Sequence, residues 1–257
     1  MNKVDIFIVS YARDFQYLKY CLRSIDKFAH GFRQVHLVIP DRDIVALYRE
    51  TEFEKVKRGE WSIHLFDEWE GKGMLHHMYL EMMADKYCQG ADFVLHMDSD
   101  CVFIESVSPD DYFVDDKPTL LHASYQWLCY DKRPPEPELL NWQRAVESAL
   151  GWKPEHEFMR CHPAVHYIRV YEKARESIEC YTQVALFDYI RKGRNGWPQE
   201  FAEYPTLGEV AWKFFHPLYN FHNEQFKPRP KPKIKQLWSH IPPTAMDMEL
   251  FQSLGLL

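Results

Sequence analysis

The stretch Phe93-Val94-Leu95-His96-Met97-Asp98-Ser99-Asp100-Cys101-Val102-Phe103 decides how this chain reads. Phe93 to Met97 is a short apolar run of strand length. It runs into two carboxylates at i and i+2, and a second apolar run, Cys101 to Ile104, follows at once. In an extended segment Asp98 and Asp100 point the same way. Left together at the end of a buried strand, they would repel each other and lose hydration. A divalent cation removes both problems. Oxygen ligands suit Mn²⁺ (or Mg²⁺), with open positions for diphosphate oxygens. D-x-D alone is a common tripeptide and often just a solvated turn; its place between two apolar runs favours the metal reading.

Upstream, the pattern alternates. Val4 to Ser10 reads as a buried strand. Asp14 is placed to cap a helix with Leu18, Cys21, Leu22, Ile25 and Phe28 at helical spacing, ended by His30-Gly31. Val35 to Ile39 is a second strand, stopped by Pro40. Ile44 to Lys55 reads as a helix, Ser62 to Phe66 as a third strand, Gly71-Lys72-Gly73 as a turn and Met74 to Tyr87 as a helix. This order predicts an α/β protein with a mostly parallel sheet flanked by helices. Ligands of such sheets bind at the carboxyl ends of the strands. Two segments end strands in this way, Ser10 to Asp14 and Asp98 to Asp100, and both should reach one edge.

Downstream, the pattern is less regular. Leu120 to Ser124 reads as a strand, Arg133 to Pro137 as a loop and Leu139 to Leu150 as a helix. Arg160 to Ile168 returns to the sheet. Tyr171 to Lys192 holds one or two helices, ended by Gly193 and Gly196. Pro205 opens a helix with Leu207, Val210, Ala211 and Phe214 on one face. With no repeat and no linker, one domain over 1–257 is expected. Residues 1–104 form its nucleotide-binding half and 105–257 an acceptor half with a C-terminal lid.

Composition narrows the classes. The net charge of -7 disfavours a general nucleic-acid binder, and 16% aromatics suits core packing or ring stacking. The six cysteines form no C-x-x-C pair, so a zinc ribbon and a thioredoxin-like motif have no support. Scattered thiols, a short N-terminal apolar run and no membrane-length stretch lead us to expect a cytoplasmic chain.

Several further residues are candidates. Ser10, Tyr11, Arg13 and Asp14 lie at the first strand-to-helix turn, where a ring, a cation and a carboxylate can meet a nucleotide; Asp14 can equally be only a cap. Lys72, between two glycines, can face phosphate. His76 and His77 are adjacent, point to different faces and read as a packed or exposed pair. His162 and His166 can place an imidazole near an acceptor. Glu203, with Tyr204, stands ahead of the Pro205 helix, away from the donor-side motifs, where a carboxylate can orient or deprotonate a hydroxyl. The strip Lys227, Arg229, Lys231, Lys233, Lys235 is either a solvated tail or a cover for an anionic site. His240, just beyond it, is a candidate third metal ligand.

Ile8 to Phe15, Cys21 to Ile25, Leu37 to Asp43, His96 to Phe103, and Glu203-Tyr204 with Leu207-Gly208 together resemble the DUF6492 family of glycosyltransferases, over most of the chain through about residue 215. The resemblance implies a GT-A fold, a nucleotide-sugar donor and a D-x-D metal. By position it implies Tyr11, Arg13 and Asp14 at the nucleotide, Asp98 and Asp100 at the metal, Glu203 at the acceptor and His240 completing the metal site. Met74 to Met78 departs from the family pattern, which has glutamines and a lysine there. The resulting expectation is a hexosyl- or pentosyltransferase using a UDP- or GDP-sugar and a hydroxyl acceptor, either a glycan or a hydroxylated DNA base. Nucleotidyl transfer and a non-catalytic sugar or nucleic-acid binding module are the alternatives.

Overall fold

Every residue of Val4–Val9 (β1) is buried, as a strand covered on both faces requires. The structure, a computed structural model, describes residues 2–53, 61–69, 72–160, 162–192, 201–238 and 241–257. After β1 come Phe15–Phe28 (α1), Val35–Pro40 (β2), Ile44–Thr51 (α2), Trp61–Phe66 (β3), Gly73–Glu81 (α3), Ala84–Tyr87 (α4) and Phe93–His96 (β4). The second half holds Cys101–Phe103 (β5), Phe113–Val114 (β6), Lys117–Ser124 (β7), Leu139–Leu150 (α5), His156–Glu157 (β8), Ala164–Tyr167 (β9), Arg169–Thr182 (α6), Leu186–Arg191 (α7) and Glu203–Phe215 (α8). Asn220–Asn223 (β10), Ile234–Gln236 (β11) and Ala245–Ser253 (α9) complete it.

The central sheet runs β3-β2-β1-β4-β9, with β9 antiparallel to β4 and the other pairs parallel. The protein is thus mixed α/β with a mostly parallel sheet between helices. Alternation along the strands divides the core. Ile6, Ile8 and Leu95 pack with Leu18 and Leu22 of α1, while Phe7, Val9 and Val94 pack with Met78, Val170 and Leu207 of α3, α6 and α8. No described helix is long and apolar enough to cross a membrane.

Four local expectations need correction. Asp14 makes no capping bond to α1; a 3-10 turn over Ala12–Asp14 precedes the helix, and the Asp14 carboxylate pairs with Arg13 Nε at 3.4 Å instead. The helix expected over Met74 to Tyr87 breaks at Met82-Met83 into α3 and α4. Phe214 is 43% exposed rather than on the buried face of α8; its ring lies at the surface beside Trp152, with Lys173 of α6 over it. Glu203 is the first residue of α8, not a residue ahead of it. The expected stops at Gly71, Gly193 and Gly196 lie outside the described residues.

The C-terminal helix α9 escaped the sequence reading. Thr244 and Asp247 form a reciprocal capping box at its start, and Lys235 pairs with the same Asp247 carboxylate. Burial pushes that carboxyl up, but Lys235 and Thr244 outweigh it and hold it below its ordinary range. A depressed folded pKa stabilises above the unfolded value and loses that contribution as pH falls through the folded one. Asp247→Ala should therefore lower stability by about 1 kcal/mol at neutral pH. Its melting curve should converge on the wild type below about pH 3–4. A constant gap across that range would disprove the ionic part.

Candidate active site at the carboxyl edge of the sheet

Strand register builds this site. Phe7 pairs with His96 across β1 and β4, so the segments after these two strands leave the same edge. His96 and Asp98 continue the face of Val94, towards α3, α6 and α8. On the other side, β9 pairs Val94 with His166 and His96 with Ala164. Continuing that register by two residues sets His162 opposite Asp98, and His162 Nε2 lies 2.8 Å from Asp98 Oδ2. Burial alone would push the His162 imidazole down; the Asp98 carboxylate outweighs it and raises its pKa.

Helix α3 supplies the other wall. His77 and Glu81, four residues apart, share a helix face, with His77 Nε2 3.4 Å from Glu81 Oε1. Tyr204, at the start of α8, donates its hydroxyl to the same Oε1 at 3.3 Å, and His96 Nδ1 stands 3.7 Å away. His77, Glu81 and Asp98 each offer a metal-competent atom, all within 4.8 Å of one another. Burial pushes Glu81 up, but His77 and His96 hold it below the ordinary carboxylate range. Burial lowers His77, yet Glu81 lifts it to about 9. Glu203 is buried; desolvation, then repulsion from Glu81, holds its carboxyl well above its usual range. Among the described residues Glu81 Oε2, Glu203 Oε2 and His96 Nδ1 have no hydrogen-bond partner.

The expected D-x-D geometry does not hold. Cys101 N donates to Asp98 O at 3.0 Å, closing a turn at Ser99-Asp100, so the segment is not extended. Asp98 faces His162 and α3. Asp100 sits 3.9 Å from Cys101 Sγ; burial, then Asp14 and then Asp100 raise the hydroxyl pKa of Tyr17 in α1. No group of three metal-competent side chains among the described residues includes Asp100.

The first-turn residues are differently used as well. Tyr11 is buried: its hydroxyl donates to Gly73 O at 3.0 Å and its ring stacks on His77, so it is not open to a nucleotide base. Tyr11 instead packs its ring against His77. Ser10 is buried, Arg13 is exposed and Lys72 donates to the Arg191 carbonyl. His166 is buried behind His96, its pKa lowered to about 3 by burial and by His96, so it does not reach an acceptor. Glu203 is not remote from the donor-side motif; Glu81, His77 and Asp98 all act on it.

A cavity of about 350 Å³ opens beside this cluster, lined by His162, Tyr204, Trp142, Phe158, Trp238 and Arg160 among others. The basic strip borders it but is mostly matched to acids. Lys233 reaches Asp111 at 2.8 Å, Lys235 pairs with Asp247, and Arg229 Nη2 reaches Glu224 at 3.0 Å. Strand β11 is bonded antiparallel to β5, and Leu237 N donates to Asp100 O at 2.9 Å. Thus 233–237 is a strap stitched to residues 100–106, and Lys235 is spent on α9 rather than on an acceptor. His240 lies outside the described residues.

Sequence reasoning missed Glu81, His77 and His96. A usable signal existed for the first two: a His-x-x-x-Glu spacing on an otherwise apolar helix. Comparison with protein-family models finds no match to this chain, and comparison with curated proteins finds none either. The class that fold and site define is therefore a mixed α/β protein with a histidine–carboxylate cluster at the carboxyl ends of adjacent parallel strands.

Proposed function

We propose that the chain is a metal-dependent glycosyltransferase, moving a hexosyl or pentosyl unit from a UDP- or GDP-sugar to a hydroxyl acceptor. The observation that carries this reading is Asp98 at the carboxyl end of β4, next to β1, with an aromatic-lined cavity adjoining it through His162. Ligands of parallel sheets bind at such edges. Flat aromatic faces beside a few polar groups suit a saccharide ring.

The residues fit a divalent cation such as Mn²⁺ or Mg²⁺: a partly exposed carboxylate, a neighbouring imidazole and buried carboxylate oxygens without partners. When bound there, the cation would neutralise charge on the leaving diphosphate. The protein's own part is to orient. His162 fixes the Asp98 carboxylate, Tyr204 fixes Glu81, and Glu203 stands at the start of α8, where its free oxygen can hold a sugar or acceptor hydroxyl. Trp142, Phe158 and Trp238 line the cavity with apolar rings, against which a bound sugar would be partly screened from water.

A donor screen tests the reading. Metal-loaded protein is incubated with UDP- and GDP-sugars, and nucleotide release is followed with and without chelator. We expect release from one donor class, abolished by EDTA. No release from any sugar nucleotide, with or without a panel of saccharide and hydroxylated-base acceptors, rejects the reading.

A further inference from the structure

We infer that His77, Glu81 and Asp98 form a three-ligand site for a first-row divalent cation, with Asp100 outside the coordination sphere. The site bears on the proposed transferase but does not need it, since it rests on side-chain geometry alone. At the roughly 2.0–2.2 Å bond lengths of imidazole and carboxylate ligands, neighbouring ligand atoms of one ion lie about 3.0–3.5 Å apart and opposite ones about 4.2 Å. The 3.4 Å between His77 Nε2 and Glu81 Oε1 fits a neighbouring pair; the three donor atoms lie within 4.8 Å of one another, at most about 0.6 Å beyond the opposite-ligand distance, which a small side-chain adjustment closes. His77 and Glu81 come from consecutive turns of one helix and Asp98 from the end of β4, so two rigid elements set the spacing.

A second, independent observation points to a ligand here. Glu81 is 3% exposed and its Oε2 has no hydrogen-bond partner among the described residues. A buried carboxylate oxygen without a partner is costly, and a cation held by this carboxylate satisfies it. The surroundings match what orients metal ligands elsewhere: His162 pairs with Asp98, Tyr204 donates to Glu81, and Tyr11 stacks on His77. The other group of this type among the described residues, Asp5, His36 and Cys88, lacks these features. Arg33 already grips Asp5 through Nε at 2.7 Å and through Nη2, and His36 takes an Asp5 oxygen at 3.0 Å. A guanidinium there repels a second cation. An imidazole beside carboxylates favours manganese or a later first-row metal over Mg²⁺.

The test is Mn²⁺ binding to chelator-stripped full-length protein, without nucleotide, by calorimetry and by electron paramagnetic resonance. Wild type should show one bound Mn²⁺ with nitrogen hyperfine coupling from an imidazole. His77→Gln should remove that coupling, and His77→Gln and Glu81→Gln should each weaken affinity at least tenfold. Asp100→Asn should bind as wild type does. Wild-type Mn²⁺ without nitrogen coupling, coupling that survives His77→Gln, or affinity lost in Asp100→Asn but kept in the other two would overturn the site. If a variant does not fold, the wild-type spectrum still decides. Tight Mn²⁺ binding with no sugar-nucleotide turnover would reject the transferase reading and leave this site standing.

Discussion

Asp98→Asn is expected to cut metal-dependent sugar-nucleotide turnover by about 10³-fold, the scale for losing a central electrostatic group in an active site. Calorimetric affinity for the nucleotide diphosphate should fall with it. The fold should not change. The Asp98 side chain is 25% exposed, and an asparagine oxygen can still accept from His162 at the 2.8 Å position. Melting temperature therefore separates a lost function from a lost structure. Asp100→Asn is the control. Its carboxylate lies towards Cys101 and Tyr17 on the α1 side, so turnover should stay within about tenfold of wild type, well short of the loss of an oxyanion-type contact. Equal losses in both variants would mean that the turn at Ser99-Asp100 opens on ligand binding and both carboxylates meet one ion.

The sheet was legible because local patterns specify it. Short apolar runs bounded by Pro40, Ser10 and the Asp98 turn gave β1, β2 and β4 nearly to the residue. The edge on which the site lies followed from the parallel order alone. What stayed hidden depends on contacts between distant segments. His162 faces Asp98 only because β9 pairs with β4 in one register, and no local pattern states a register. The reading that His76 and His77 point to different faces holds, since His76 stacks on Trp69 while His77 turns to Glu81. Its consequence for His77 required knowing that α3 lies over the end of β4. The D-x-D geometry failed for a local reason that residue types do not reveal: one backbone bond, Cys101 N to Asp98 O, replaces the extended conformation. The charge of the basic strip could not be weighed from the strip alone, since Asp111, Glu224 and Asp247 from other segments meet it, although the strip does border the cavity.

Gly208→Ala is expected to be among the most destabilising single substitutions outside the cluster. In an open helix this change would gain about 1 kcal/mol from helix propensity. Gly208 is not in an open helix. It lies in α8 where a Cβ would stand 2.3 Å from both Cβ and Cγ of Phe158. The Phe158 ring lines the cavity and can shift, but its Cβ moves only with the backbone, and Gly208 is flanked by Leu207 and Val210 in the same core. Overpacking of this kind costs about 1–3 kcal/mol and at times more, so the clash outweighs the propensity gain. The function should suffer with the stability. Relieving the contact means moving α8 away from Phe158, and the start of α8 carries Glu203 and the Tyr204 hydroxyl that bonds Glu81 at 3.3 Å. A double-mutant cycle isolates the cause. Phe158→Gly, which removes the clashing Cβ with the ring, should alone cost at least the about 3–5 kcal/mol of a Phe→Ala cavity. With both atoms gone, the added methyl of Gly208→Ala meets space instead of Phe158. The double variant should then be more stable than the sum of the two losses by at least about 1 kcal/mol, a coupling expected only for residues in direct contact. Strictly additive losses in chemical denaturation would show that Phe158 is not what excludes a side chain at position 208.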